Sequence, residues 1–287
     1  MANVELVGRA ELSPWRHMAL GTWRTARDPS IYGTVSLRMD AASSYIERFR
    51  EATGRRLTVT HLMAKVVGVV LAELPQINAL PRWRGIYLRE EVSVFFQVAI
   101  EDPRTGDVDL SGIKIREPHR KSLLEIIDEF EVKAARVRAL DDQELEHSRS
   151  MLHRVPALFI GLALRVLGFL SYTFNLDLRW AGVPKDPFGS AMVTNIGSLG
   201  LESAFVPLVP FSRVSILIAM GEVEEVPVVD AGAVGISKVM RLFATFDHRV
   251  VDGVHAAKMV RIVRDWLEHP FERFDGLSSA ERSQQGA

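Results

Sequence analysis

The chain has 287 residues, 47% of them apolar and 25% charged, a balance that supports a sizeable folded core. A formal net charge of −1 removes the global basic field that would recruit nucleic acid or an anionic lipid surface. The absence of cysteine excludes disulfides, a cysteine nucleophile, thiolate zinc sites and iron–sulfur clusters.

Met1 to Leu12 lack the apolar run of a signal peptide, so cytoplasmic residence is the expectation. Apolar and polar residues alternate from Tyr32 to Met39, which predicts a strand. A helix follows over Ala41–Ala52, ended by Gly54. Thr60 reads as the N-cap of a strongly apolar helix, His61–Leu74, stopped by Pro75. Strands are predicted at Ile86–Arg89 and Val92–Ile100, a turn at Glu101–Gly106, and a further strand at Val108–Ile115. Ser122 opens an amphipathic helix to about residue 140, with Leu123, Ile126, Ile127 and Phe130 on one face.

Asp141 to Pro187 is less regular. It holds a charged stretch, an apolar run from Val155 to Phe174 and a Gly/Pro/Asp loop. With Arg165 near its centre the run is short of the ~18 residues of a membrane span, so a buried or oligomer-facing helix is favoured. Membrane contact through 155–174, or a lining for an acyl chain, is the alternative. Strands return at Ala191–Asn195, Val214–Met220 and Val234–Phe246, and a helix over Val254–His269 carries Ala256, Val260, Val263 and Leu267 on one face. No repeat, linker or low-complexity tract divides the sequence, which reads as one α+β domain over 1–287.

Chemistry concentrates at Asp247-His248-Arg249-Val250-Val251-Asp252-Gly253. His248 ends an apolar strand, and a neutral imidazole there can take a proton near pH 7. Two bland readings stand beside this: Asp252 as the N-cap of the next helix, and His248 as a hydrogen-bonded histidine at a strand end. Glu144, His147 and His153 offer too few ligands for a metal site. Neither Gly-x-Ser-x-Gly, nor a P-loop, nor Gly-x-Gly-x-x-Gly is present, which disfavours hydrolase, nucleotide-hydrolysing and dinucleotide-binding readings. Two basic clusters, Arg82-Trp83-Arg84 and Arg116 with His119-Arg120-Lys121, are either solvated surface or anchors for nucleotide phosphates.

The whole string resembles the His-x-x-x-Asp-Gly motif of the chloramphenicol acetyltransferase superfamily. Within it, the chain most resembles the dihydrolipoamide acyltransferase catalytic domains of 2-oxoacid dehydrogenase complexes. Thr194-Asn195-Ile196-Gly197-Ser198-Leu199-Gly200 is similar to that family's Ser-Asn-Leu-Gly segment, and Thr58 to Ala79 to its early helix. Ser13 to Arg24 is a weaker echo of its N-terminal segment.

The resemblance implies a mixed central sheet flanked by helices, with the active site at a trimer interface. It implies acyl transfer between coenzyme A and a dihydrolipoamide-type thiol, with His248 as general base and Thr194 in place of the serine that donates to the oxyanion. Ser198 is the fallback donor. Asp252 would hold the loop by pairing with Arg16 or Arg24. Transfer to an alcohol or amine, or a non-catalytic scaffold, remains open. The chain departs from the family in three respects. It starts close to the catalytic region, so any lipoyl group is expected on another protein in trans. Residues 141–187 form a longer connection than the family's. The polar tail after Phe274 predicts a homotrimer that does not build a hollow core.

Overall fold

A computed structural model of the chain describes residues 2–14, 16, 18, 20, 29–83, 85–101, 108–138 and 156–277. Strand β1 (Leu6–Arg9) precedes β2 (Ser30–Arg38), α1 (Asp40–Thr53) and α2 (Val59–Glu73). Strands β3 (Ala79–Arg82), β4 (Gly85–Arg89), β5 (Ser93–Glu101) and β6 (Val108–Arg116) lead to α3 (Leu123–Arg138) and α4 (Ala157–Gly168). The remainder is β7 (Ala191–Asn195), β8 (Ile216–Asp230), β9 (Ala233–Asp247), α5 (Gly253–Glu268) and α6 (Pro270–Arg273).

Six strands form the main sheet in the order β2-β9-β8-β7-β5-β6. The pairs β5–β7 and β7–β8 are parallel and the other three antiparallel. A separate three-stranded sheet has the order β1-β4-β3. Period-two alternation sorts the strand residues between two faces. Ala191, Val193, Ile216, Ile218, Leu242 and Phe246 face a large core shared with the helices. Met192 and Leu217 face the other side, with Phe95, Leu208 and Val214. Ala219 and Phe243 share that second side with Ile196.

Helix α2 is apolar all round because it runs through the centre of the helical layer, where Leu62, Met63, Val66, Val67 and Leu71 are all buried. It starts two residues before the sequence expectation. Thr58, not Thr60, is the N-cap, because the Thr58 amide donates to His61 Nδ1 at 3.2 Å and closes a capping box with an imidazole at N3. Burial, with Arg50 and Arg56 adding to it, pushes the His61 pKa down to about 4, so the ring stays neutral and can accept that bond.

Ser122 caps α3 reciprocally with Glu125, and the face predicted for this helix is the buried one. In α5 the buried stripe is Met259, Val263 and Leu267, with Met259 taking the central place expected of Val260. Strands β8 and β9 run ten residues past Met220 as a hairpin, closed at Ala231 (φ 49°) and Gly232 (φ 83°). Two adjacent positive φ angles are the signature of the tight turn that matches strand twist. Among the described residues no helix is long and apolar enough to cross a membrane.

Candidate active site

The loop after β9 is pinned at nearly every backbone group. The Asp247 amide donates to Ser215 O at 2.9 Å, and the His248 amide to Pro29 O at 2.7 Å. The Val250 and Val251 amides both donate to Asp247 O at 2.9 Å. Asp247 is buried and paired with the buried Arg249, whose Nε and Nη2 lie 2.9 and 2.6 Å from its two carboxylate oxygens. This internal pair cancels its own charge and acts as a brace.

His248 is half-buried, and its Nδ1 lies 2.9 Å from Val251 O. A carbonyl can only accept, so Nδ1 carries the hydrogen and the lone pair of the neutral ring sits on Nε2. The backbone of the loop thereby selects the tautomer.

Asp252 is the N-cap of α5, accepting from the His255 amide at 3.0 Å, and its other oxygen accepts from Arg16 Nη2 at 3.0 Å. Asp252 thus caps α5 and pairs with Arg16 at the same time. Burial alone would raise the Asp252 carboxyl, but the amide and ring of His255, with Arg16, outweigh it and hold the pKa below the usual range. Arg16 also donates through Nη1 to Arg249 O at 3.1 Å. Its burial lowers its pKa, against the pull of Asp252 and Asp247. Of the two arginines named from the sequence, Arg16 makes the pair, while Arg24 lies outside the described residues. His255 went unremarked in the sequence. Its Nδ1 lies 2.7 Å from Asp252 Oδ1 and 2.8 Å from Arg16 Nη2, so it donates to the first when protonated and accepts from the second when bare.

Thr194, one residue before the end of β7, lies on the face away from the helices, half-buried. The turn after it is packed tightly onto β8: the Ile196 amide donates to Met220 O at 2.9 Å. A Cβ on Gly197 would fall 2.5 Å from Glu222 N, a close approach that only glycine allows. Ser198 is occupied locally, its Oγ donating to Asn195 O at 2.7 Å, so it serves the turn.

One chain does not bring Thr194 and His248 together. Thr194 is in register with Ala219, and Ala219 with Phe243, four residues before Asp247 on β9. His248 is one residue further on, and five residues along the chain with two interstrand spacings put the two groups roughly 19 Å apart, far beyond a shared reacting atom.

The second basic cluster carries no spare charge, since Arg116, Arg120 and Lys121 are met by Glu91, Glu117 and Glu129. In the first, Arg82 donates to Thr173 O and stacks on Tyr87, and Arg84 lies outside the described residues. Glu144, His147 and His153 also lie outside them, and among those described no group of three or more potential ligands could hold a metal ion.

Residues 188–274 match the model of a family described as 2-oxoacid dehydrogenases acyltransferase (catalytic domain). The lipoamide acyltransferase component of the branched-chain alpha-keto acid dehydrogenase complex of Pseudomonas aeruginosa is 37% identical over 87 residues, 30% of this chain and 20% of that protein. The dihydrolipoyllysine-residue acetyltransferase component of the acetoin cleaving system of Bacillus subtilis is 24% identical over 222 residues, 77% of this chain and 44% of that protein. The chain thus spans less than half the length of these curated relatives. Among solved structures, a probable dihydrolipoamide acetyltransferase from Listeria monocytogenes superposes with a TM-score of 0.62 at 16% identity, covering 91% of this chain and 94% of that one. The cubic core of the pyruvate dehydrogenase multienzyme complex gives 0.62 at 20% identity, covering 92% and 93%. The expected fold, a mixed sheet flanked by helices in the manner of these acyltransferase cores, is the one observed.

Proposed function

We propose that the protein is an acyltransferase that moves an acyl group between coenzyme A and a dihydrolipoamide-type thiol, with His248 as general base. The observation that carries this reading is the locked Nδ1–H of His248, which leaves Nε2 as acceptor on a loop already held rigid. Nε2 takes the proton of the acceptor thiol, and the thiolate attacks the thioester carbonyl. The tetrahedral oxyanion accepts a hydrogen bond from the hydroxyl of Thr194. Collapse breaks the original carbon–sulfur bond, and the departing thiolate recovers the proton from the imidazolium. Asp252 and Arg16 act through the loop as positioning residues.

The separation of Thr194 from His248 within a chain supports a site shared between neighbours in a homotrimer. Exposed apolar residues on the β8–β9 hairpin, Val229, Val234 and Ile236, fit the same reading. Phe274 packs against Tyr45 and Trp266 of its own chain and is buried there, which supports a trimer that stops short of a hollow core.

The test is coenzyme A release from acetyl and longer acyl coenzyme A in the presence of free dihydrolipoamide, against His248→Ala. A fall of about 10²- to 10⁴-fold is expected from loss of the base. Equal rates would leave a scaffold that kept the fold, and turnover with only alcohols or amines would move the acceptor class. Light scattering is expected to give the mass of a trimer; a monomer that turns over, or a mass of many trimers, would contradict the assembly.

A further inference from the structure

Behind the His248 loop lies a cavity of about 400 Å³, within the usual range for small-molecule sites. One wall is α4, part of the segment that the sequence marks as an insertion, through Gly161, Leu164 and Arg165. Val209, Pro210 and Phe211 also line it, and the lining includes Asp247 and Arg249 but not His248 between them. The surface is mainly apolar, yet three arginines border it: Arg165, Arg213 and Arg249.

These cations are not equivalent. Arg249 is committed to Asp247. Arg213 is half-buried, held at a positive φ of 56°, and among the described residues has neither a hydrogen-bond nor an ion-pair partner. Arg165 is exposed at the rim and likewise unpartnered among the described residues. Lining charge therefore sums to three arginines against one aspartate, an excess of two positive charges in a mainly apolar recess. Burial, followed by the like charge of Arg249, lowers the Arg213 pKa, so the site costs free energy as it stands. A guanidinium in that position is matched by a planar two-oxygen anion.

We propose that this cavity binds a free apolar carboxylate, its hydrocarbon body against Leu164 and Phe211 and its carboxylate on Arg213, with Arg165 closing the rim. The cavity is separate from the reacting groups. It shares with them the Asp247–Arg249 brace, so a ligand there bears on the loop that carries His248 without touching His248.

Isothermal titration of the protein with sodium octanoate tests the site, with acetate and octanol as the two half-ligands. Saturable octanoate binding is expected, with acetate and octanol each much weaker. Two variants report on it. Arg213→Leu removes the cation, and Gly161→Leu fills the cavity from an open helical position, since a Cβ there meets nothing within 4 Å. Each is expected to weaken octanoate by at least about tenfold, the loss of one charge-assisted pair in the first case. His248→Ala should bind octanoate as the parent does, which separates this site from the acyl-transfer reading. No saturable binding to the parent, or unaltered binding to both variants, would overturn the proposal. It would also fall if Arg213→Leu lowered the mass in solution while octanoate did not bind, since the cation would then be answering a carboxylate of a second copy.

Discussion

Replacing Arg16 with methionine isolates the tie between the N-terminal segment and the His248 loop. Methionine keeps an apolar stem of similar reach and removes two hydrogen bonds, to Arg249 O and to Asp252 Oδ2. A hydrogen bond to a charged group contributes about 1.5–3 kcal/mol, and an abandoned buried carbonyl costs about 1 kcal/mol or more. Two offsets apply. Asp252 is about a quarter exposed and keeps the amide and ring of His255, and the desolvation cost of Arg16 itself disappears. The net expectation is a loss of about 2 kcal/mol, read from denaturant midpoints at pH 7 with unchanged slopes. A double-mutant cycle with Asp252→Asn should return a coupling of about 1 kcal/mol. Because the folded-state pKa of Asp252 is depressed, its stabilisation is present above the unfolded value near ~3.9 and is lost as pH falls through the folded value. The Arg16→Met deficit should therefore shrink below pH ~4. A variant within about 0.5 kcal/mol of the parent at pH 7 would refute the idea that Arg16 holds the loop.

Other outcomes follow from single sites. Thr194→Ala should cost about 10²- to 10³-fold in kcat for acyl transfer, with Thr194→Ser restoring most of it, because the serine retains the O–H donor. Equal activity of the alanine and serine variants would remove Thr194 from the oxyanion site. Gly197→Ala drives a Cβ onto the backbone of Glu222 and should destabilise by about 1–3 kcal/mol in thermal or denaturant unfolding. His61 has its folded pKa lowered to about 4 from 6.5, so the unfolded chain binds the proton first. Stability is then full above pH ~6.5 and is lost as pH falls towards 4, by about 3 kcal/mol on this account. His61→Gln keeps a capping side chain without a proton to gain, and its stability curve should be flat across that window; a parent-like slope would exonerate His61.

Much of the fold could be read from periodicity, because the relevant residues face a core on one side. The buried face of α3 and the alternation of Leu242, Ala244 and Phe246 are of this kind. What escaped has local physical reasons. Strand β3 contains Pro81, which argues against a strand, yet β3 lies at the edge of its sheet, where a missing amide is tolerated. The outer half of β8 runs through Gly221 and Pro227 with several glutamates, and its pairing depends on β9 and a two-residue turn rather than on burial. The true start of α2 depended on an imidazole standing where capping boxes usually place glutamate or glutamine.

At the site, Asp247 to Gly253 could be picked out because its residue types carry chemistry. The selection of Arg16, and the involvement of His255, could not. Both depend on contacts between segments that are distant in sequence, Arg16 meeting Asp252 across 236 residues.

That long-range closure has a consequence for how the molecule is made. Strand β2 pairs along its whole length with β9, Ser30 opposite Asp247 and Arg38 opposite Val239. At roughly 5–20 residues per second of synthesis, β2 leaves the ribosome roughly ten to forty seconds before its partner exists. During that interval Ile31, Val35 and Leu37 have no sheet to join, and the Pro29 carbonyl has no His248 amide to accept. Completion of the His248 loop is thus among the last steps of folding. A chain interrupted before β9 is accordingly expected to be an aggregation hazard rather than a weak version of the folded protein.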